Sequence, residues 1–152
     1  MHWTPCVSTE EKVRTTMRTR RYSELIRIPT LEERFQYLKL DGAIGETTFG
    51  FERYLNQALY RSPEWKRIRN QIIVRDNGCD MAVEGFPVDR PIIHHMNPIT
   101  AGDIEQRAAH IFDPEFLVCV SFRTHNAIHF GDENQLPKLP VERKPGDTCP
   151  WR

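Results

Sequence analysis

Apolar residues return at helical spacing in three stretches of the first half of the chain. Between positions 31 and 40, Leu31, Phe35 and Leu38 share one side. Thr30-Leu31-Glu32-Glu33 is a capping-box pattern, whose hydroxyl and carboxylate satisfy backbone donors left open at a helix start, and Asp41-Gly42 supplies the stop. Gly45 to Gly50 reads as a loop. From Phe51 to Tyr60, the residues Phe51, Tyr54, Leu55, Ala58 and Leu59 form a second apolar face, read as core. The third stretch carries the fullest set of signals. Ser62 is an N-cap, Pro63 sits at the first helical position where its missing N–H costs nothing, and Glu64 lies near the positive helix end. Trp65, Ile68, Ile72 and Ile73 then recur at helical spacing up to Asn77-Gly78.

Beyond Gly78 the apolar runs shorten to strand length. Met81, Val83 and Phe86 suit a short strand or a packed loop between turn residues. Pro91 to His95 and Phe116 to Val120 read as strands, the second entered through Asp113-Pro114. Between them Thr100 and Asp103 are placed to cap a small helix from about Asp103 to Ile111, on which His110 has no partner in sequence and is read as structural or exposed. Thr124 is the expected cap of a last helix, which Gly131 ends. Pro137, Pro140, Pro145 and Pro150 mark an extended tail wrapping the surface, with Trp151 as its pin. At the other end, residues 1–29 lack an apolar period. Lys12, Arg14, Arg18, Arg20, Arg21 and Arg27 there face only Glu10, Glu11 and Glu24. A loosely ordered arm ending at Pro29 is expected, either solvated or lying on nucleic-acid phosphates.

Composition narrows the partners. At 152 residues the chain is long enough for one domain with a real core. Twenty-one basic residues balance twenty-one acidic ones, so any surface that attracts polyanions must arise from local segregation of charge. One such segregation is on the third helix, where Arg61, Lys66, Arg67, Arg69 and Arg75 outnumber Glu64 and Asp76. Cys6, Cys79, Cys119 and Cys149 are too scattered for a disulfide framework, and no run is apolar enough for a signal segment or a membrane span. An intracellular, reduced, soluble protein is the expectation.

Four of the six histidines lie in two short segments, Ile92-Ile93-His94-His95-Met96-Asn97-Pro98 and Thr124-His125-Asn126-Ala127-Ile128-His129. Adjacent side chains on a strand point to opposite faces, so His94 and His95 diverge: one is free to bind a metal while the other stands beside it as a base. The i, i+4 pair His125 and His129 shares one helical face and suits a single ion. Together they put three imidazoles within reach of one metal.

These segments resemble the HNH endonucleases, whose ββα-metal motif is a β-hairpin followed by a short helix with one divalent ion between them. His94-His95 stands where that family carries a metal ligand and the general base, and Pro98 where it carries a loop proline. Phe116 to Val120 matches the second strand, and His125 and His129 match the helical ligands of colicin-type members. The stretch from Tyr37 to Gly42, with Thr48-Phe49-Gly50, Tyr54 to Gln57 and Gly146-Asp147-Thr148, is similar to a branch encoded by phages and prophages. Two departures stand out. The family's bracing asparagine falls at Phe116, leaving Asn97 and Asn126 as substitutes, and Ala82 and Phe122 replace partner cysteines of a structural zinc site. With only Cys79 and Cys119 in place, no second zinc is expected.

The resemblance implies an α+β fold, mostly helical, built around the ββα-metal motif with irregular arms at both ends. The divisions are 1–29 for the arm, 30–131 for the nuclease domain (helical part 30–77, motif about 91–131), and 132–152 for the tail. It implies DNA phosphodiester hydrolysis, nicking or double-stranded, with His95 and Asn126 catalytic and His94, His125 and His129 holding zinc, nickel, manganese or magnesium. Three imidazoles suit the first three better than magnesium. Lys66, Arg67, Arg69 and Arg123 are the expected DNA contacts. Cleavage should decline below about pH 6, where an unperturbed histidine becomes charged. The expected setting is the cytoplasm of a phage-infected or lysogenic bacterial host, with DNA and phage packaging proteins as partners. The alternatives are a non-catalytic metal-stabilised module that binds DNA or protein, and an RNase or toxin nuclease.

Overall fold

In the computed structural model, which describes residues 18–40, 52–83, 86–138 and 145–146, most helices begin where side-chain caps stand in the sequence. The helices are α1 (Tyr22–Leu25), α2 (Leu31–Leu38), α3 (Glu52–Arg61), α4 (Pro63–Arg75), α5 (Ala101–Glu105) and α6 (Phe122–Phe130). The strands β1 (Cys79–Asp80), β2 (Phe86–Pro87), β3 (Ile92–His95) and β4 (Leu117–Val120) pair antiparallel, β1 with β2 and β3 with β4. The described fold is thus mixed α+β. The Thr30 and Ser62 hydroxyls accept from the backbone N–H of Glu33 and Trp65, so α2 and α4 start as their sequences indicate.

The β3–β4 hairpin divides the interior. Its register sets His94 opposite Val118 and His95 opposite Leu117. Alternation along each strand then sends Ile93, Leu117 and Cys119 toward Trp65, Ile68 and Ile72 of α4. Val118 and Val120 pack the other way, with Ala127 and Ile128 of α6 and with Leu25, Phe35 and Leu38. Buried on both faces, β4 has no position left for a polar residue, which accounts for the unbroken run Leu117-Val118-Cys119-Val120.

Two buried carboxylates join these layers. Asp76, at the end of α4, accepts from the Cys119 N–H at 2.9 Å and is paired with Arg75. Asp80 accepts from the Ala82 and Ser121 N–H groups, each at 3.0 Å, and from the Thr124 hydroxyl. A buried carboxylate is tolerated where charge-assisted hydrogen bonds replace its water.

Several expectations are corrected. Residues 18–29 are packed: Leu25 is fully buried, and Arg20 donates through its guanidinium to the carbonyls of Tyr37 and Lys39 at 2.7 and 2.9 Å. The Thr100–Asp103 capping box is present, but α5 starts at Ala101 and stops at Glu105, because Arg107 adopts φ +50 and breaks the helical run before a 3-10 turn at Ala109–Phe112. Ser121 caps α6, while Thr124 sits inside the helix, held by Asp80. Phe116 belongs to a 3-10 turn, Pro114–Phe116, and β4 starts one residue later. Ala58 is exposed and Leu59 buried, while the side chains of Phe51, Tyr54 and Leu55 from the same expected stripe lie outside the described residues. Arg75 does not face phosphates: it donates to Pro114 O at 2.7 Å and Leu117 O at 2.8 Å while lying 3.4 Å from the Tyr22 ring centroid. After α6 the chain forms a 3-10 turn at Glu133–Gln135, and Leu136 packs on the core. The expectations for residues 1–17, Asp41-Gly42, Phe51 and Trp151 lie outside the described residues. No helix among the described residues is long and apolar enough to cross a membrane.

Candidate metal centre

The hairpin and α6 bring the two histidine segments together. β3 turns His94 toward α6, whose i, i+4 spacing lays His125 and His129 side by side. The His94 ring meets those of His125 and His129 edge-on, at centroid distances of 5.3 and 5.1 Å. The Nε2 atoms of His125 and His129 are 3.0 Å apart, and a ligand atom from each of the three residues lies within 4.8 Å of the others. Two nitrogens bound tetrahedrally to one zinc ion at 2.0–2.1 Å would be about 3.3 Å apart, so the helical pair needs little movement.

His94 is 3% exposed, and among the described residues its Nε2 is the buried side-chain polar atom without a hydrogen-bond partner. A buried polar atom left unpaired is costly. A cation shared with His125 and His129 would satisfy it, and the all-imidazole donor set suits zinc or nickel. Burial pushes the His94 pKa well below its ordinary value, helped by the neighbouring His125 and His129. Burial also lowers His125 and brings His129 down to about 4. All three are therefore kept in the neutral form that a metal requires. Asn126 follows His125 on α6, is half-buried, and acts on the His125 pKa in the opposite sense to burial.

His95 points to the other face of β3, as alternation requires. Its ring stacks on Trp65 of α4 at 5.1 Å with 22° between planes, and its Nε2 lies 3.1 Å from the carbonyl oxygen of Ile111. A carbonyl only accepts, so Nε2 carries the hydrogen and Nδ1 keeps the lone pair. Burial takes the His95 pKa down to about 4, with the Ile111 bond acting in the opposite sense. The side chain remains partly exposed.

Of the other site residues expected from sequence, Lys66 and Arg67 are exposed on α4 and Arg123 is exposed at the start of α6. Arg69 reaches Pro91 O at 3.4 Å, which ties α4 to the entry of β3. Asn97 braces the turn after His95: it accepts from the Arg20 N–H at 2.7 Å and donates to the Arg20 carbonyl at 2.9 Å. At Phe116 the backbone does the equivalent work, its carbonyl accepting from Met96 N–H at 3.0 Å. His110 is half-exposed, 3.8 Å from Asp103.

The sequence reads Trp65 as a core residue of α4, on a helix that resembles the one preceding the motif in HNH proteins, and does not place it against His95. Ile111 acts through its backbone, and the bonds of Asp76 and Asp80 reach across more than forty positions, so neither leaves a pattern in the sequence. Neither protein-family models, nor curated proteins, nor solved structures match the chain.

Proposed function

We propose that the chain is a metal-dependent endonuclease of the HNH type, hydrolysing DNA phosphodiester bonds with His95 as general base. The observation that carries this reading is the pairing of two environments across one strand. His94, His125 and His129 converge around an unpartnered buried nitrogen, while the adjacent His95 has its tautomer set by Ile111 and its lone pair free at Nδ1. A purely structural metal site has no use for that second imidazole.

One divalent ion held by His94, His125 and His129 would supply a Lewis acid that neutralises charge on the phosphoryl group. His95 takes the proton of the attacking water at Nδ1, while stacking on Trp65 and the bond to Ile111 O keep the ring from rotating away. Asn126, next to His125 on α6, is the second residue assigned to the catalytic site in this reading. Lys66, Arg67 and Arg123 are exposed and available to phosphates, whose contacts position a duplex without reading its sequence.

Cleavage of supercoiled plasmid across zinc, nickel, manganese and magnesium tests the reading. Chelation should abolish cutting. His95→Ala should lower the rate by about 10²–10⁴-fold with metal affinity unchanged. His129→Ala should weaken metal binding by more than the roughly 10–100-fold that loss of an outer-shell partner costs. Normal cutting by metal-loaded His95→Ala protein would remove the base assignment. A non-catalytic metal-stabilised binding module draws support from the zero net charge and from the internal engagement of Arg75. Metal binding without nicking under any of these ions would favour it.

A further inference from the structure

A cavity of about 310 Å³ opens beside α6, lined by Phe122, Arg123, Asn126, Asn134 and Gln135. Phe122, at the start of α6, is 65% exposed and turns its ring to the cavity's side of the helix. The other described lining residues carry polar groups and none is a carboxylate, although they present more apolar than polar surface to the cavity. Asp132 accepts from the side-chain amides of Asn134 and Gln135 at 3.0 and 3.2 Å. These bonds hold both side chains in place, yet each amide keeps its carbonyl oxygen and a second N–H. Such an acceptor–donor pair matches the edge of a nucleobase, an exposed aromatic ring offers a face on which a base stacks, and a guanidinium suits the adjoining phosphate. Asn126 lines the cavity and follows His125 directly, so the cavity lies on the helix that carries His125 and His129.

We propose that this cavity is a nucleobase subsite, taking one unpaired or unstacked base of the nucleic-acid substrate against Phe122, with the amides of Asn126, Asn134 and Gln135 along its edge. The proposal rests on the nuclease reading above and deepens it: the preferred substrate is DNA with a locally opened helix rather than uniform duplex.

The test uses the zinc-loaded full-length chain carrying His95→Ala, so that substrate survives during binding. Affinity is compared for an intact duplex and for the same duplex with one unpaired adenine, and 2-aminopurine at the unpaired position reports stacking through quenched fluorescence. The unpaired duplex should bind about ten-fold tighter or more, within the range expected for one base stacked on an aromatic ring. Adding Phe122→Ala should erase both the preference and the quench, leaving affinity for intact duplex and melting temperature unchanged, and Phe122→Trp should restore them. Equal affinity for the two duplexes, a preference that survives Phe122→Ala, or no nucleic-acid binding would each overturn the subsite. Plasmid cleavage by the otherwise unaltered chain separates the two readings. Cutting without the preference sinks the subsite and leaves the nuclease, and the preference without cutting does the reverse.

Discussion

His95 differs from its neighbour His94 less in burial than in what it touches. One has an unpartnered nitrogen among imidazoles; the other is stacked on Trp65 and bonded to a carbonyl. Both are held neutral, and this moves the expected pH response. An unperturbed histidine would lose its lone pair near pH 6.5, but burial takes His95 down to about 4, so its basic form persists to much lower pH. Single-turnover cleavage at pH 5.5 should therefore stay within about two-fold of its value at pH 7, and fall steeply only as pH approaches 4. A midpoint near 6.5 in the pH–rate profile would show that His95 is more solvated than its packing indicates. The metal-free fold should respond to the same groups. His95 and His129 have depressed folded-state values, so the unfolded chain binds more protons between about 4 and 6.5. Their stabilising contribution is complete above that window and is lost as pH falls through it, readable as a falling urea midpoint.

At the level of elements, α6 can serve the proposed metal site only because its first turn is anchored. Ser121 caps it, and Asp80 bonds both the Ser121 N–H and the Thr124 hydroxyl. Asp80→Ala leaves buried donors unsatisfied and should cost about 3 kcal/mol or more, measured by urea unfolding. Metal affinity should fall as well, since His125 follows Thr124 directly. Asp80→Asn, which keeps the shape and one acceptor, should lie between that variant and the parent. The histidine segments were legible in sequence because their chemistry is local: two neighbours on a strand, and two residues one turn apart on a helix. The starts of α2 and α4 were legible for the same reason, since Thr30 and Ser62 act within three residues. Thr124 misled because Asp80 claims its hydroxyl from more than forty positions away, while Ser121 caps the helix. Arg75 misled because a basic residue at helical spacing has the same letter whether it faces water or the carbonyls of Pro114 and Leu117.

Across the described molecule, residues 18–29 complete the fold around the histidine strand. Asn97 exchanges two hydrogen bonds with the backbone of Arg20, and Arg20 clasps the end of α2. Asn97→Ala should lower stability by about 1–3 kcal/mol and open residues 18–27 to trypsin at Arg20, Arg21 and Arg27. Unchanged proteolysis would mean that Leu25 and the Arg20 guanidinium seat the segment without the Asn97 bonds. The strands of the central hairpin are likewise joined by a long excursion, residues 96–116, whose 3-10 turn returns the Ile111 oxygen to the His95 ring. The atom that selects the imidazole tautomer therefore belongs to the main chain. Replacing side chains one at a time would pass over this control, because any residue that fills the space at 111 presents the same oxygen. Shortening the excursion, or exchanging that amide for an ester with a weaker acceptor, would reach it, so the spacing between the strands is itself under chemical constraint.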